Sequence, residues 1–189
     1  GETLLDEPIL LSQLVRISML GMAYEGIGTV LQPGKLSPEQ ARRIVRETAG
    51  AYHREAYANA LAGETAFGLD AIDDAAGNRD LPFALGGFDS PAGDVLAGYL
   101  VQTPVGSAFL NSDRQQYAKF MNRIVRAAEQ PYYEVQSELE TIETEIDDLS
   151  FLSLYTRNLV PGLVRAQEAQ ARAEAMIHLM RIGLSLELY

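Results

Sequence analysis

The apolar residues repeat with the period of an α-helix in several separate stretches of the chain. The first predicted helix runs from Pro8 to Leu31. Its apolar residues form two adjacent columns, Leu10, Leu14 and Ile17 in one and Leu11, Val15 and Met22 in the other. Two adjacent columns are typical of a helix that buries a broad face. We therefore expect both columns of this helix to lie in the core.

The second predicted helix begins at a capping box, Ser37 to Gln40, with Pro38 at the first helical position. In a capping box the Ser hydroxyl accepts the backbone N–H of the Gln three residues later, and the Gln side chain accepts the backbone N–H of the Ser. Proline is favoured at the first helical position because no backbone N–H is needed there. The helical period extends to about Asp74, with a break or bend at Gly50. Residues 75–112 then carry six glycines and three prolines and have few matches to the helical period. Because this segment is also rich in apolar residues, we expect a long irregular stretch packed on the helices, with a short helix near 92–101.

Three further helices are predicted in the second half of the chain. One runs from Arg114 to Gln130, capped by Asn111, Ser112 or Asp113. The next begins at Pro131, and its apolar residues alternate at spacings of three and four: Tyr132, Val135, Leu139, Ile142, Ile146 and Leu149. That narrow seam is typical of a helix packed at a shallow angle on a partner.

The last predicted helix covers Leu159 to Tyr189, broken at most near Pro161 and Gly162. The residues expected on its buried side are Ala166, Ala169, Ala173, Met176, Met180 and Leu184. Together the patterns predict an all-α fold: one domain over residues 1–189, an irregular bundle of about five or six helices with a C-terminal helical hairpin. The chain starts at Gly1 without Met and ends inside an apolar run, so we expect it to derive from a longer parent protein.

Composition narrows the class of protein further. The 189 residues are 47% hydrophobic, enough for one sizeable core, and 26 acidic against 15 basic side chains give a net charge of −11. Such a charge repels phosphate backbones and anionic lipid, which disfavours nucleic acid and membrane surfaces as partners. There is no cysteine, which excludes disulfides, thiol nucleophiles and Cys-ligated metals.

The few residues that could carry chemistry form no recognised catalytic pattern. The two histidines, His53 and His178, lie far apart, and Glu174 precedes His178 by four positions where a di-metal helix needs three. No G-x-S-x-G motif occurs, and Gly106-Ser107-Ala108 lacks the strand-to-helix context of a nucleophilic serine. The glycine pair at 86 and 87 has no following Lys for a phosphate loop. No cofactor is predicted from these residues.

Acidic residues supply the remaining candidates. Paired carboxylates of a hydrolase could come from the acids on or near the irregular segment, Glu64, Asp70, Asp73, Asp74, Asp89 and Asp94. The acids between Asp70 and Asp80 have the wrong offsets for a calcium loop. Seven further acids lie between Glu134 and Asp148, a stretch without Lys or Arg. We interpret them as a solvated face, with a docking face for a basic partner as the alternative.

Three segments resemble a group of uncharacterised bacterial proteins, common in planctomycetes. They are the opening run 10–17, the run from Gly63 to Asp70, and the tail from Ala171 to Tyr189. In that group an N-terminal membrane helix anchors a helical domain outside the cytoplasm. The resemblance implies an extracytoplasmic or periplasmic location and an anchor that precedes this chain. It implies no catalytic, cofactor or metal residues.

These observations favour a non-catalytic helical domain that acts through protein–protein contact or assembly in the cell envelope. A binding domain for a small or apolar ligand, with residues 75–112 as a lid or wall, is the first alternative. A hydrolase with paired carboxylates is the second. An assembly domain should expose an apolar patch, a ligand binder should have a pocket, and an enzyme should have convergent acids in a cleft.

Overall fold

A computed structural model describes residues 9–30, 36–48, 54–77, 103–150 and 153–186. These residues form helices and no strand, which confirms the predicted all-α bundle. The helices are α1 (Leu10–Val30), α2 (Pro38–Thr48), α3 (Arg54–Gly77), α4 (Pro104–Ala128), α5 (Tyr132–Asp147) and α6 (Leu154–Leu186).

The capping box at the start of α2 is confirmed. The Ser37 backbone N–H donates to the Gln40 side-chain oxygen at 2.8 Å, and the Gln40 N–H donates to Ser37 Oγ at 3.2 Å. The predicted break near Gly50 falls at residues 49–53, which lie outside the described residues, as does His53.

The predicted bounds of the irregular segment, 75–112, are wrong at both ends. α3 continues to Gly77, and α4 begins at Pro104. Thr103 caps α4, because its Oγ1 accepts the N–H of Gly106 at 3.0 Å while Pro104 takes a position where no N–H is needed. Residues 78–102, with the short helix expected near 92–101, lie outside the described residues.

The predicted start of the fourth helix at Arg114, with Asn111, Ser112 or Asp113 as its cap, is therefore wrong. Asp113 lies in the third turn of α4 with 1% of its surface exposed, and it caps a different helix. Its carboxylate accepts the backbone N–H groups of Tyr155 at 2.8 Å and Thr156 at 3.2 Å, at the first turn of α6. A carboxylate at this position satisfies orphan N–H groups and complements the positive helix end.

Two contacts between α3 and α4 show how these helices run. Arg114, in the third turn of α4, binds Asp73 near the end of α3, and Tyr117 Oη, further along α4, donates to the carbonyl of Glu64 at 3.3 Å. The two helices are therefore antiparallel. Gly68 permits their close approach, because a Cβ at this position would lie less than 3.0 Å from the buried Tyr117 ring.

The C-terminal hairpin is formed by α5 and α6, which pack on each other and on α4. The apolar seam predicted for α5 is confirmed, since Val135, Leu139, Ile142 and Ile146 are buried and Tyr132 and Leu149 pack against the same core. This core also holds Tyr117, Phe120, Met121 and Ile124 of α4, with Leu61 and Ile72 of α3.

Helix α6 has 33 residues, about 50 Å at 1.5 Å per residue, and continues through Pro161. Four of the six residues predicted on its buried side are buried, namely Ala166, Ala173, Met180 and Leu184. The prediction is wrong for Ala169 and Met176, which are exposed, and it missed the buried Gln167 and Gln170. The buried seam follows spacings of three and four: Leu163, Ala166, Gln170, Ala173, Ile177, Met180 and Leu184. The last part of this seam forms a second, smaller core with Tyr24 of α1 and Ala41 of α2.

Candidate interaction surface

Helix α1 is apolar on two opposite sides. Leu10, Ile17 and Tyr24 are buried on the side that packs against α3 and α6. A rotation of about 100° per residue puts Leu11, Val15 and Met22 on the other side of the helix. A helix that is apolar all round is expected to bury its whole surface. In α1 only one side is covered by the described residues.

The uncovered side of α1 carries four apolar side chains, which we call the α1 stripe. The exposed fractions are 69% for Leu11, 44% for Val15, 53% for Met19 and 65% for Met22. The prediction that Leu11, Val15 and Met22 lie in the core is therefore wrong. Their spacing correctly placed the three residues on one face of the helix. Whether another helix covers that face depends on tertiary packing, which the spacing does not predict.

The α1 stripe carries no charge. Arg16 is the only acidic or basic side chain between Ile9 and Tyr24, and it is 5% exposed. Burial lowers the pKa of the Arg16 guanidinium, and the nearby Tyr24 phenol acts in the opposite direction. An uncharged apolar face on a protein of net charge −11 is the kind of surface that marks an interaction site.

A second exposed apolar stripe follows the last part of α6. It consists of Met176, Leu179, Ile182 and Leu186, which are between 37% and 70% exposed. These residues lie opposite the Ile177, Met180 and Leu184 side that packs in the second core. The end of α6 is thus apolar on both sides, as α1 is.

A groove lies beside this stripe, between α2 and α6. Its volume is about 420 Å³, and it is lined by Val45, His178, Arg181, Ile182, Ser185 and Leu186. Val45 comes from α2 and the other residues from the last turns of α6. We call this site the α2–α6 groove. Sequence analysis missed it, because no spacing rule connects Val45 to residues more than 130 positions later.

The polar side of the α2–α6 groove has an ordered ion pair next to it. Glu174 is bound by Arg54 of α3, and His178 Nε2 lies 3.7 Å from the same carboxylate oxygen. Arg181 differs from Arg54, because no carboxylate among the described residues lies within 4.0 Å of its guanidinium. Sequence analysis considered His178 only as a metal ligand, and the structure places it beside an ion pair and a groove.

The acidic stretch of α5 is partly neutralised by α4. Arg123 Nε donates to Glu138 at 2.6 Å and its Nη1 donates to Glu145 at 2.7 Å, while Lys119 Nζ lies 3.5 Å from Glu145. The hydrogen bond from Arg123 lowers the pKa of Glu145. Glu134, Glu140, Asp147 and Asp148 are exposed. Two of the seven acids, Glu138 and Glu145, thus hold α5 on α4. For the exposed acids, a solvated face and a docking face for a basic partner both stay predictions.

Of the six acids considered for hydrolysis, Glu64, Asp70, Asp73 and Asp74 lie on α3, and Asp73 is held in an ion pair. Arg114 binds both carboxylate oxygens of Asp73, at 2.7 and 3.1 Å. Asp89 and Asp94 lie outside the described residues. Across the described ranges, no three His, Asp or Glu side chains are grouped so that they could hold a metal ion. Ser107 lies in the first turn of α4, which is not the strand-to-helix turn of a nucleophilic serine.

No helix in the described part of the chain has both the length and the apolar character that crossing a membrane requires. Comparison with protein-family models, with curated proteins and with solved structures found no match to this chain.

Proposed function

We propose that this protein is a non-catalytic helical contact domain that associates with a second copy of itself through the α1 stripe. The observation that carries the proposal is the uncharged row of exposed apolar side chains on α1, opposite the side that packs in the core. Exposed apolar patches of this kind are characteristic of protein–protein interaction sites.

The spacing of the stripe favours a second copy as the occupant. The net charge of −11 on each chain opposes self-association, but the α1 stripe carries no charge, so two copies can meet there without opposing acidic side chains. Leu11, Val15, Met19 and Met22 follow spacings of four, four and three, which are the spacings with which two helices interlock. Contact between the two stripes buries the same apolar residues on both chains, as a two-fold interface requires.

The contact is expected to be of modest strength. Leu11 and Met22 are separated by about three helical turns, ~17 Å, so two stripes share a short contact. Interfaces at the small end of the specific range support weak or transient complexes. We expect a dimer that forms in the micromolar range, on the order of 10⁻⁵ M, for the isolated chain.

We also propose that the domain acts outside the cytoplasm, in the cell envelope. This part rests on the resemblance to the anchored planctomycete proteins. Protease added to intact spheroplasts that produce this protein would test it. Digestion of the domain without lysis supports the external location, and protection until lysis contradicts it.

Sedimentation velocity over a concentration series is the test of self-association. The double variant Leu11→Gln and Met22→Gln removes the ends of the stripe while keeping helix-forming side chains of similar length. Phe67→Gln is the matched control, since Phe67 is an isolated apolar residue on α3 and 71% exposed. Circular dichroism verifies that both variants stay helical.

We expect a concentration-dependent dimer for the wild-type chain and the Phe67→Gln variant, and a monomer for the double variant. A wild-type chain that stays monomeric up to millimolar concentration would contradict the proposal. A dimer that the double variant retains would assign the interface to another surface.

A further inference from the structure

The α2–α6 groove combines an apolar wall with one accessible cationic group. The apolar wall is formed by Val45, Ile182 and Leu186, of which Ile182 is 57% and Leu186 70% exposed. The volume of about 420 Å³ lies within the range of small-molecule sites, about 300–1,000 Å³. A groove of this size accommodates a single short hydrocarbon chain.

Arg181 is the group in the groove that is suited to bind an anion. Some of the described arginines are engaged by carboxylates, such as Arg54 by Glu174 and Arg114 by Asp73, whereas others, such as Arg42 and Arg165, resemble Arg181 in having no carboxylate within 4.0 Å. Arg181 is intermediate in exposure as a residue, and no carboxylate among the described residues lies within 4.0 Å of its guanidinium. A guanidinium presents two parallel N–H groups that match the two oxygens of a carboxylate.

Among the described residues, the polar groups next to the groove have other partners. Glu174, the carboxylate closest to His178, is bound by Arg54. Ser185 donates its hydroxyl to the Arg181 backbone carbonyl at 2.7 Å, which leaves the guanidinium uninvolved. Helix α2, which supplies the opposite wall, carries three arginines against two glutamates. The surroundings of the groove are thus more basic than the molecule as a whole.

We propose that the α2–α6 groove binds a single-chain carboxylate amphiphile, with its carboxylate on the Arg181 guanidinium and its hydrocarbon chain along the apolar wall. This site shares no residue with the α1 stripe, so the proposal can be tested independently of self-association. The ligand class follows from the lining: one cation selects one anionic head, and the apolar wall selects a hydrocarbon chain over a polar tail.

Isothermal titration calorimetry with decanoate, hexanoate and decyl maltoside, each below its micellar concentration, tests both halves of the proposal. Each methylene moved out of water tightens binding by about fourfold when fully buried. For a half-open groove we expect hexanoate to bind at least about tenfold more weakly than decanoate. Decyl maltoside, with the same chain and no charge, should also bind about tenfold more weakly.

Variants locate the binding. Arg181→Gln should weaken decanoate binding by about tenfold and leave decyl maltoside unchanged. Ile182→Ser should weaken the binding of both ligands. Because Ile182 is exposed, we expect this substitution to leave the fold intact. Arg165→Gln is the matched control, since Arg165 is an exposed arginine of the same helix that does not line the groove.

The expected result is one decanoate per chain with this dependence on Arg181 and Ile182. No decanoate binding up to millimolar concentration would overturn the proposal. Equal effects of Arg181→Gln and Arg165→Gln would overturn it as well, because they would mean non-specific attraction. Binding to vesicles of phosphatidylglycerol without binding of free decanoate would assign the surface to membranes and reject the carboxylate site.

Discussion

Asp113 shows how one side chain can join two parts of the fold. It belongs to α4, it is 1% exposed, and its carboxylate accepts two backbone N–H groups and the Thr156 hydroxyl at the start of α6. A buried carboxylate is tolerated only when it is hydrogen-bonded, and here the helix end supplies the donors. The contact therefore sets where the first turn of α6 lies against α4.

Replacing Asp113 should destabilise the protein considerably. Asp113→Ala removes the three acceptor contacts and leaves the N–H groups of Tyr155 and Thr156 buried, so we expect a loss of about 2–4 kcal/mol. Asp113→Asn, which keeps one acceptor oxygen, should lose less. Urea unfolding followed by circular dichroism measures both. Ser112→Ala, at the exposed neighbouring position, is the control, and a loss as small as that of Ser112→Ala would contradict the capping role.

At the scale of elements, the pairing of α4 with α5 combines the apolar seam with a charged edge. Arg123 bridges two turns of α5 through Glu138 and Glu145, and its guanidinium lies 5.7 Å from the centre of the Phe120 ring. Arg123 is 21% exposed, so its contacts are less screened than those of a fully exposed pair. The acids of α5 thus help to orient the hairpin on α4.

The charged edge makes stability depend on pH in a defined direction. Because the bond to Arg123 lowers the pKa of Glu145 in the folded state, its contribution is present above the ordinary carboxylate pKa and is lost as the pH falls through the lowered value. Arg123→Met should lower the free energy of unfolding by about 1 kcal/mol at pH 7. The difference from wild type should shrink below about pH 4, where glutamate protonates.

Urea unfolding at pH 7 and pH 3.5 measures this difference. Arg43→Gln is the control, because Arg43 forms only an exposed pair with Glu47 on the same helix, and it should have no measurable effect at either pH. If Arg123→Met lowers the free energy of unfolding by the same amount at both pH values, Arg123 stabilises the protein through packing on Phe120 and not through its charge.

At the scale of the whole molecule, α6 connects two cores of unequal size. Its first half packs in the large core with α4 and α5, and its last turns pack in the small core with Tyr24 and Ala41. The α2–α6 groove lies at the small core. Regions with few buried contacts open locally at lower free energy than the rest of a protein. We infer that the end carrying the groove opens before the hairpin.

Leu184→Ala tests this order. Leu184 is fully buried in the small core, so truncation should cost about 2–4 kcal/mol. Hydrogen exchange read by mass spectrometry should show faster exchange in α2 and the last turns of α6, with α4 and α5 unchanged. Ile142→Ala, in the large core, should instead accelerate exchange throughout. A uniform acceleration in Leu184→Ala would contradict two separable cores.

Local sequence patterns correctly predicted the elements that have one apolar row or that depend only on contacts within one helical turn. The seam of α5 has one apolar row, so its spacing identified the buried side, and the Ser37 box needs only residues within one helical turn. The start of α4 was missed because Pro104, Gly106 and Ser107 have low helix propensity, although Thr103 and Pro104 together form a recognisable start signal. For α6, exposed Met176 and buried Gln167 reverse the order that hydrophobicity alone predicts.

The amino-acid sequence by itself determined that the chain is helical, where most helices lie, that it has no cysteine chemistry and that its net charge is strongly negative. These properties depend on composition and on residues within a few turns of one another. Only the tertiary structure decided which apolar column of α1 is covered, which helix Asp113 caps and that Val45 and Arg181 line the same groove. Each of these depends on contacts between residues distant in sequence, whose partners no local period specifies.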